Sequence, residues 1–232
     1  MNQSNPYQSP AMPAQALVNE RAQFIVRTYG HLFGAILAFT GFEVLLFKTG
    51  LALPIARAAL AGNWLLVLGA FMVVSWIATH AAGTASSKLG QYAGLGLYVV
   101  AQGLIFVPLL YIAEMKAEGI IASAAGVTLL GFAGLTAVAF VTRKDFSFLR
   151  GFIMWGGIVA LLAIVGSVIF GLSLGTFFSV AMVGLAGAAI LYDTSNILHH
   201  YPADRYVGAS LHLFASVAMM FWYVLRIFSS RN

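Results

Sequence analysis

The chain has 232 residues, of which 61% are hydrophobic and only 8% are charged. Soluble domains carry about 25% charged residues and the mean hydropathy here is +0.91, so we exclude a soluble globule and predict an all-α protein in a lipid bilayer. The net charge of +5 is attributed to basic loops that orient the chain in the membrane and not to nucleic acid, and the lack of cysteine excludes disulfides and thiolate metal sites.

Residues 1–22 are predicted to form a disordered cytoplasmic tail, because Pro, Gln, Ser and Asn dominate there. The segment has neither the basic region nor the apolar run of a signal peptide. The rest of the chain, residues 23–232, is predicted to be one transmembrane domain.

Seven apolar runs have about the 20 residues that a membrane-spanning helix needs. They lie at residues 29–47, 64–82, 92–113, 120–141, 152–172, 177–197 and 207–228. The segments between them are interpreted as loops, too short for a second domain. Pro108 is expected to kink the third span, because proline removes one backbone donor.

The distribution of Lys and Arg predicts the orientation. With a cytoplasmic N-terminus, the inner segments contain seven of these residues: Arg21, Arg27, Lys88, Arg143, Lys144, Arg150 and Arg205. The outer segments and the C-terminal end contain five: Lys48, Arg57, Lys116, Arg226 and Arg231. The excess favours an inner-membrane protein with its N-terminus in the cytoplasm.

Small residues predict where helices approach closely. Gly131 and Gly134 lie in the fourth span, and Gly184, Gly187 and Ala188 lie in the sixth. Because such side chains let two backbones come together, we expect close helix packing at these positions.

Ionisable residues in or near the spans are the candidates for function, because a charge at a helix centre costs about 2.5–3.5 kcal/mol. They are His31, Glu43, His80, Asp193 and His212. Glu43 lies near the outer end of its span and is expected to reach the headgroup region.

Asp193 lies about two turns before the end of the sixth span, which Pro202 keeps from continuing. Its side chain is too short to reach water, so we expect it to face protein or a water-filled cavity and to act as a proton-sensitive latch. His31, His80 and His212 fall toward the same side of the membrane. They either form a pH-responsive cluster with Asp193 or lie scattered at the interface, since helix rotation is not given by sequence.

The sequence argues against several membrane chemistries, so we expect no enzymatic activity and no cofactor. Intramembrane aspartyl proteolysis needs two aspartates, and no second one lies in a span. There is no HExxH motif, and no lysine stands in the last span for a retinal Schiff base. His199 and His200 point about 100° apart on a helix, which favours interfacial polar residues over a metal pair.

Three segments resemble the Bax inhibitor-1 family, and especially its bacterial YccA-type branch. They are TRKDFSFLRG at 142–151, LYDTSNIL at 191–198 and LRIF at 225–228. The resemblance covers almost the whole chain beyond the tail. It implies a seven-helix fold in which the other helices surround the last one.

The resemblance implies two functions that do not exclude each other. The YccA-type branch modulates FtsH, a membrane-bound ATP-dependent protease, and a cytoplasmic N-terminal tail matters there. Other members are pH-sensitive calcium leak channels with a latch of two acidic residues. The first of these falls on Asp193, but Ser216 stands at the second position, so we expect Asp193 to bond Ser216 or pair with His212. The sequence does not decide whether a Ca²⁺ site lies near Asp193, and this ion prefers six to eight oxygen ligands.

Overall fold

The computed structural model describes residues 14–231, with side chains for 18–230, and its regular structure is entirely helical. The helices are α1 (Ala14–Lys48), α2 (Ala52–Ala61), α3 (Trp64–Thr84), α4 (Lys88–Lys116), α5 (Ile120–Thr142), α6 (Leu149–Phe170), α7 (Thr176–His199) and α8 (Tyr206–Arg231). All but α2 contribute a segment long and apolar enough to cross a membrane. The predicted all-α architecture with seven spans is confirmed.

The last helix lies at the centre of the bundle, as the family resemblance implies. α8 packs against α1, α3, α4, α5 and α7. Its side chains Leu211, Leu213, Phe214 and Leu225 are at most 2% exposed. α6, in contrast, buries only Ala160 and packs mainly on α7, so most of its apolar surface is left for lipid.

Basic side chains tie together the connections at one end of the bundle. Arg205 Nη1 donates a hydrogen bond to the Ala85 carbonyl oxygen over 2.9 Å, and Lys88 Nζ donates to the Asp204 carbonyl oxygen. We call this the basic end; it contains the start of α1 and the α3–α4, α5–α6 and α7–α8 connections. The opposite end contains α2 and the α4–α5 and α6–α7 connections.

The predicted tail extends too far. α1 begins at Ala14, so residues 14–22 are helical, whereas residues 1–13 lie outside the described part of the chain. Arg21 Nη1 donates to the carbonyl oxygens of Ile197 (3.3 Å) and Tyr201 (2.7 Å), and Phe24 stacks on Tyr201. These contacts hold the first turns of α1 against the end of α7, and the composition of the segment does not predict them.

The segment between the first two spans is a short helix and not the predicted loop. Ala52 and Ala56 of α2 lie one turn apart and pack with Leu46 of α1 and Val107 of α4. Pro54 stands in the first turn, where its missing backbone N–H costs no helical hydrogen bond. The small apolar face of α2 therefore covers the ends of two spans.

Pro108 lies inside α4, and the helix continues through it to Lys116. The proline is buried, as are Val107 and Leu110 beside it. The helix α4 therefore continues past the proline, and tertiary packing holds the residues on both sides of it.

The small residues of α5 and α7 have different surroundings. A Cβ at Gly187 would lie 3.3 Å from Leu135 Cδ1, and one at Gly131 would lie 3.4 Å from Met220 Sδ. No atom lies within 4 Å of the corresponding position at Gly134 or Gly184. Gly184 and Ala188 instead line an open groove beside the contact of α5 with α7, so the close approach expected at Gly134 and Gly184 is not found.

Candidate functional site

The candidate site centres on a hydrogen bond between α7 and the central helix α8. Ser216 Oγ donates to Asp193 Oδ2 over 2.6 Å, and the two residues are 7% and 8% exposed. The preceding turns of α7 contain the small buried residues Ala186 and Ala189, which keep the two backbones close. Two short polar side chains can therefore meet inside the bundle.

A cavity of about 800 Å³ adjoins this bond between α3, α4, α6, α7 and α8. From Asp193 it extends toward the opposite end of the bundle, where Trp64, Leu174 and Arg226 line it. Gln102 adds a buried amide whose oxygen has no hydrogen-bond partner among residues 18–230. The cavity thus contains a hydrogen-bond acceptor without a partner at the depth of the membrane. The sequence does not single out Gln102 as a candidate, because its side chain is not ionisable.

Arg226 forms part of the cavity wall at the opposite end. Its Nη2 donates to the Leu174 carbonyl oxygen over 2.7 Å, which joins α8 to the α6–α7 connection. Trp64 and Trp222 stack beside it with ring centroids 6.4 Å apart. The cavity therefore has the carboxyl group of Asp193 at its end inside the bundle and the fixed positive charge of Arg226 at its opposite end.

His212 lines the same cavity, one helical turn from Ser216 toward the basic end. Its ring lies beside Tyr201, with centroids 6.5 Å apart. Among the described side chains, no ion pair joins His212 to Asp193. The structure thus gathers Asp193, Ser216 and His212 at one cavity, with the direct bond made by the serine.

The other two predicted histidines lie elsewhere. His31 Nε2 is 3.0 Å from the Tyr92 hydroxyl, and its ring lies 5.0 Å from that of Tyr206. The His80 ring stacks on Trp76 with centroids 5.8 Å apart. Neither histidine lines the Asp193 cavity, so the four-residue cluster is not formed. The rotations of α1 and α3 turn these rings away from it.

A polar contact at the basic end involves a histidine that we interpreted as interfacial. His200 Nε2 lies 3.1 Å from Asp145 Oδ2, and the Ser147 backbone N–H donates to Asp145 Oδ1 over 2.8 Å. The Ser147 N–H above all, with help from His200, holds the pKa of Asp145 below its ordinary value of 3.8. The motif DFS around Asp145 contained a signal for this turn, because aspartate often bonds a backbone N–H two residues on.

Ser195 connects this basic-end contact to the helix that carries Asp193. The Phe146 backbone N–H donates to Ser195 Oγ over 2.9 Å, and the serine is fully buried. Asp193 and Ser195 are two residues apart on α7. The same turn of α7 therefore contacts α8 through Asp193 and the α5–α6 connection through Ser195.

Glu43 is buried, so our expectation that it reaches the headgroup region is wrong. The residue is 6% exposed, and neither carboxylate oxygen has a hydrogen-bond partner in the described part of the chain. It lines a second cavity, of about 400 Å³, between α1, α4, α5 and α8. The rotation of α1 turns this side chain toward α4 instead of toward lipid.

The described residues contain no group of three or more His, Asp or Glu side chains that could hold a metal ion. Ca²⁺ takes six to eight oxygens, and Asp193 is the one carboxylate among the described residues that line the cavity.

Comparison with known proteins places the chain among membrane proteins of similar sequence. Residues 21–232 match the family described as inhibitor of apoptosis-promoting Bax1. An uncharacterized protein of Pseudomonas aeruginosa is 38% identical over 120 residues, which cover 51% of this chain and 54% of that protein. The modulator of FtsH protease YccA from Escherichia coli is 36% identical over 116 residues, or 49% of this chain and 52% of YccA. An uncharacterized membrane protein of Vibrio cholerae is 28% identical over 172 residues, or 71% and 73% of the two chains. The chain therefore matches about half the length of the first two relatives.

Proposed function

The chain belongs to the Bax inhibitor-1 family, as its motifs predict, and from this premise we propose that it modulates the FtsH protease in a bacterial inner membrane. The observation that carries the proposal is the 36% identity to the E. coli protein named as a modulator of that protease. In this proposal the protein acts by binding and not by catalysis, and changes the turnover of other membrane proteins.

The shape of α1 supports a contact with a cytoplasmic ATPase. The helix α1, Ala14–Lys48, has 35 residues, whereas a span needs about 20. The excess length lies at the basic end, which the Lys and Arg bias assigns to the cytoplasm. The start of α1 and the residues before it would then stand where a membrane-anchored protease can reach them.

Deletion of residues 2–13, which leaves α1 intact, tests this proposal. We expect overproduction of the full chain to change the half-life of an FtsH membrane substrate, and the deletion to abolish that change at equal protein level. Arg57→Gln serves as the control, because this exposed arginine lies on α2 at the opposite end. Unchanged half-lives with the full chain, or equal effects of the full and shortened chains, would contradict the tail-mediated proposal.

The Asp193 cavity favours a second function, a proton-sensitive leak for Ca²⁺ or other cations. The cavity reaches from the opposite end of the bundle to Asp193, and the Asp193–Ser216 bond closes the space between α7 and α8 at its inner limit. A change in the protonation of Asp193 alters this bond and therefore the contact of the two helices. In this proposal the leak is controlled at the α7–α8 contact beside Asp193.

Liposomes containing the purified full chain test the leak. We expect Ca²⁺ flux that depends on pH between about pH 6 and 8, as the protonation of Asp193 changes. Asp193→Asn should remove the pH dependence, because the amide does not titrate. Absence of flux at every pH, or equal flux profiles for the two proteins, would rule the leak out and leave the FtsH proposal untouched.

A further inference from the structure

The second cavity contains a carboxylate without a hydrogen-bond partner in the described part of the structure. Both Glu43 oxygens are buried and without a hydrogen-bond partner among residues 18–230. Glu43 Oε1 lies 3.4 Å from the point where a Cβ would stand at Gly103 of α4, so the glycine makes room for it. Lys48, five residues further along α1, forms no ion pair with it in the described structure. Because an ionised carboxylate is costly to bury without a partner, a cationic donor from outside the described residues would stabilise Glu43 in this position.

No residue of the cavity wall donates a hydrogen bond to Glu43, and Lys48 at the exposed rim forms no ion pair with it in the described structure. Thr40 and Thr128 line it, but each hydroxyl donates to a carbonyl oxygen of its own helix, over 2.8 Å in both cases. The remaining lining is mainly apolar and aromatic, with Phe39, Phe47, Leu110, Phe214, Val217 and Phe221. At about 400 Å³, the cavity falls within the range of small-molecule sites, about 300–1,000 Å³.

We propose that the Glu43 cavity binds a lipophilic primary ammonium. The ammonium group donates hydrogen bonds to the two free carboxylate oxygens, and its apolar body lies among the phenylalanine rings. An ammonium has three donors and no acceptor, which complements the two buried acceptor oxygens of Glu43. The faces of the surrounding phenylalanine rings also attract a cation. This site lies between α1, α4 and α5, apart from the Asp193 cavity, and does not rest on either proposed function.

Other ligand classes fit the cavity less well. A metal ion needs several anionic or imidazole ligands, and no such group of three exists among the described residues. An anion would meet the unpaired charge of Glu43. A neutral apolar molecule would fill the volume but leave both oxygens without a donor, which is the feature that the site must explain.

The ammonium group has two sources in a membrane, a soluble lipophilic amine and the ethanolamine headgroup of a phospholipid. Glu114 and Lys48 line the same cavity as exposed residues at the opposite end of the bundle, close to the headgroup level. Either source can therefore enter at this rim. The chemistry recognised by Glu43 is the same, and the lipid composition of the test bilayer separates the two.

The experiment measures calorimetric binding of hexylammonium to the full chain in phosphatidylcholine nanodiscs, with empty discs subtracted. We expect saturable binding of hexylammonium, and binding of the isosteric 1-hexanol weaker by about tenfold or more, as for loss of a charge-assisted hydrogen bond. Glu43→Gln should weaken hexylammonium binding by a similar factor and leave hexanol unchanged. Glu118→Gln, at an exposed position of the α4–α5 connection that does not line the cavity, is the matched control and should change the affinity for hexylammonium by less than about twofold.

Discs that contain phosphatidylethanolamine identify the source. If its headgroup occupies the site, hexylammonium binds more weakly there than in phosphatidylcholine discs; equal binding points to a soluble amine. Equal affinity of the wild type for hexylammonium and hexanol would overturn the proposal without the use of any variant. Equal hexylammonium affinity of the wild type and Glu43→Gln would overturn it as well.

Discussion

Ser216 of the central helix donates a hydrogen bond to Asp193 of α7 over 2.6 Å, at the position where the family resemblance implies a second carboxylate. A hydroxyl both donates and accepts, so it bonds an ionised carboxylate and a protonated carboxyl group alike. Two carboxylates at this distance must instead share a proton. Protonation of Asp193 therefore replaces a charge-assisted hydrogen bond with a weaker neutral one, so the link between α7 and α8 loosens without being broken.

Ser216→Ala should destabilise the fold, because it leaves a buried oxygen of Asp193 without its donor. The expected loss is about 1–3 kcal/mol of unfolding free energy. Thermal unfolding of the purified protein in detergent measures it as a lower midpoint temperature. Together with the two single variants, the double variant Asp193→Asn/Ser216→Ala completes a double-mutant cycle, which gives the interaction energy of the pair. Equal midpoints for the wild type and Ser216→Ala would show that the bond contributes nothing.

Ser216→Asp should convert the serine-linked contact into a pair of carboxylates. Because one proton must then be shared, the α7–α8 contact becomes more sensitive to pH than the serine-linked contact of the wild type. Ca²⁺ flux into liposomes, measured from about pH 6 to 8, should change more steeply with pH than in the wild type. Ser210→Asp is unsuitable as a control, since Ser210 is also buried; Ser87→Asp on the exposed α3–α4 connection is the matched substitution. Identical profiles for wild type and Ser216→Asp would refute the argument.

The spans and the inward position of Asp193 were predictable because both follow from local quantities. A run of about 20 apolar residues is sufficient for a membrane-spanning helix. The depth of Asp193 follows from its distance to Pro202, and its short side chain leaves no route to water. The central position of α8 is different, since it came from the resemblance to a family and not from hydropathy.

Helix rotation explains most of what the sequence did not reveal. Glu43 lies near a span end but faces α4, where Gly103 leaves room for it, and no periodicity in α1 indicates this. His31 and His80 lie at suitable depths but on faces that the Asp193 cavity does not reach. The helix α2 was missed for another reason: its 10 residues are too few for a hydropathy signal. The pairing of such faces depends on neighbours that are distant in sequence.

Asp145→Asn should loosen the α5–α6 connection at the basic end. The carboxylate accepts from the Ser147 backbone N–H, and this bond helps to hold the pKa of Asp145 below 3.8. Because the pKa of Asp145 is lowered, its contact with Ser147 is complete above pH 3.8 and is lost as the pH falls below the lowered pKa. Hydrogen exchange of residues 143–148 near neutral pH should therefore be faster in Asp145→Asn than in the wild type. Asp204→Asn, an exposed aspartate at the same end, should leave exchange in this segment unchanged. The amide oxygen of asparagine still accepts the Ser147 N–H, so equal exchange in wild type and Asp145→Asn would show that the negative charge of Asp145 does not stabilise this segment.

Arg21→Gln should release the first turns of α1 from the end of α7. The guanidinium donates to the Ile197 and Tyr201 carbonyl oxygens, which are free because α7 ends there. Glutamine is shorter and uncharged, so it cannot reach both oxygens or complement the negative end of the α7 dipole. We expect faster hydrogen exchange in the first turns of α1 and, in cells, a shorter lifetime of the protein if a cytoplasmic protease engages this terminus. Arg150→Gln, an exposed arginine at the same end, is the control and should change neither quantity. Faster exchange with an unchanged lifetime would mean that degradation does not begin at α1, whereas unchanged exchange would show that Arg21 does not hold the helix.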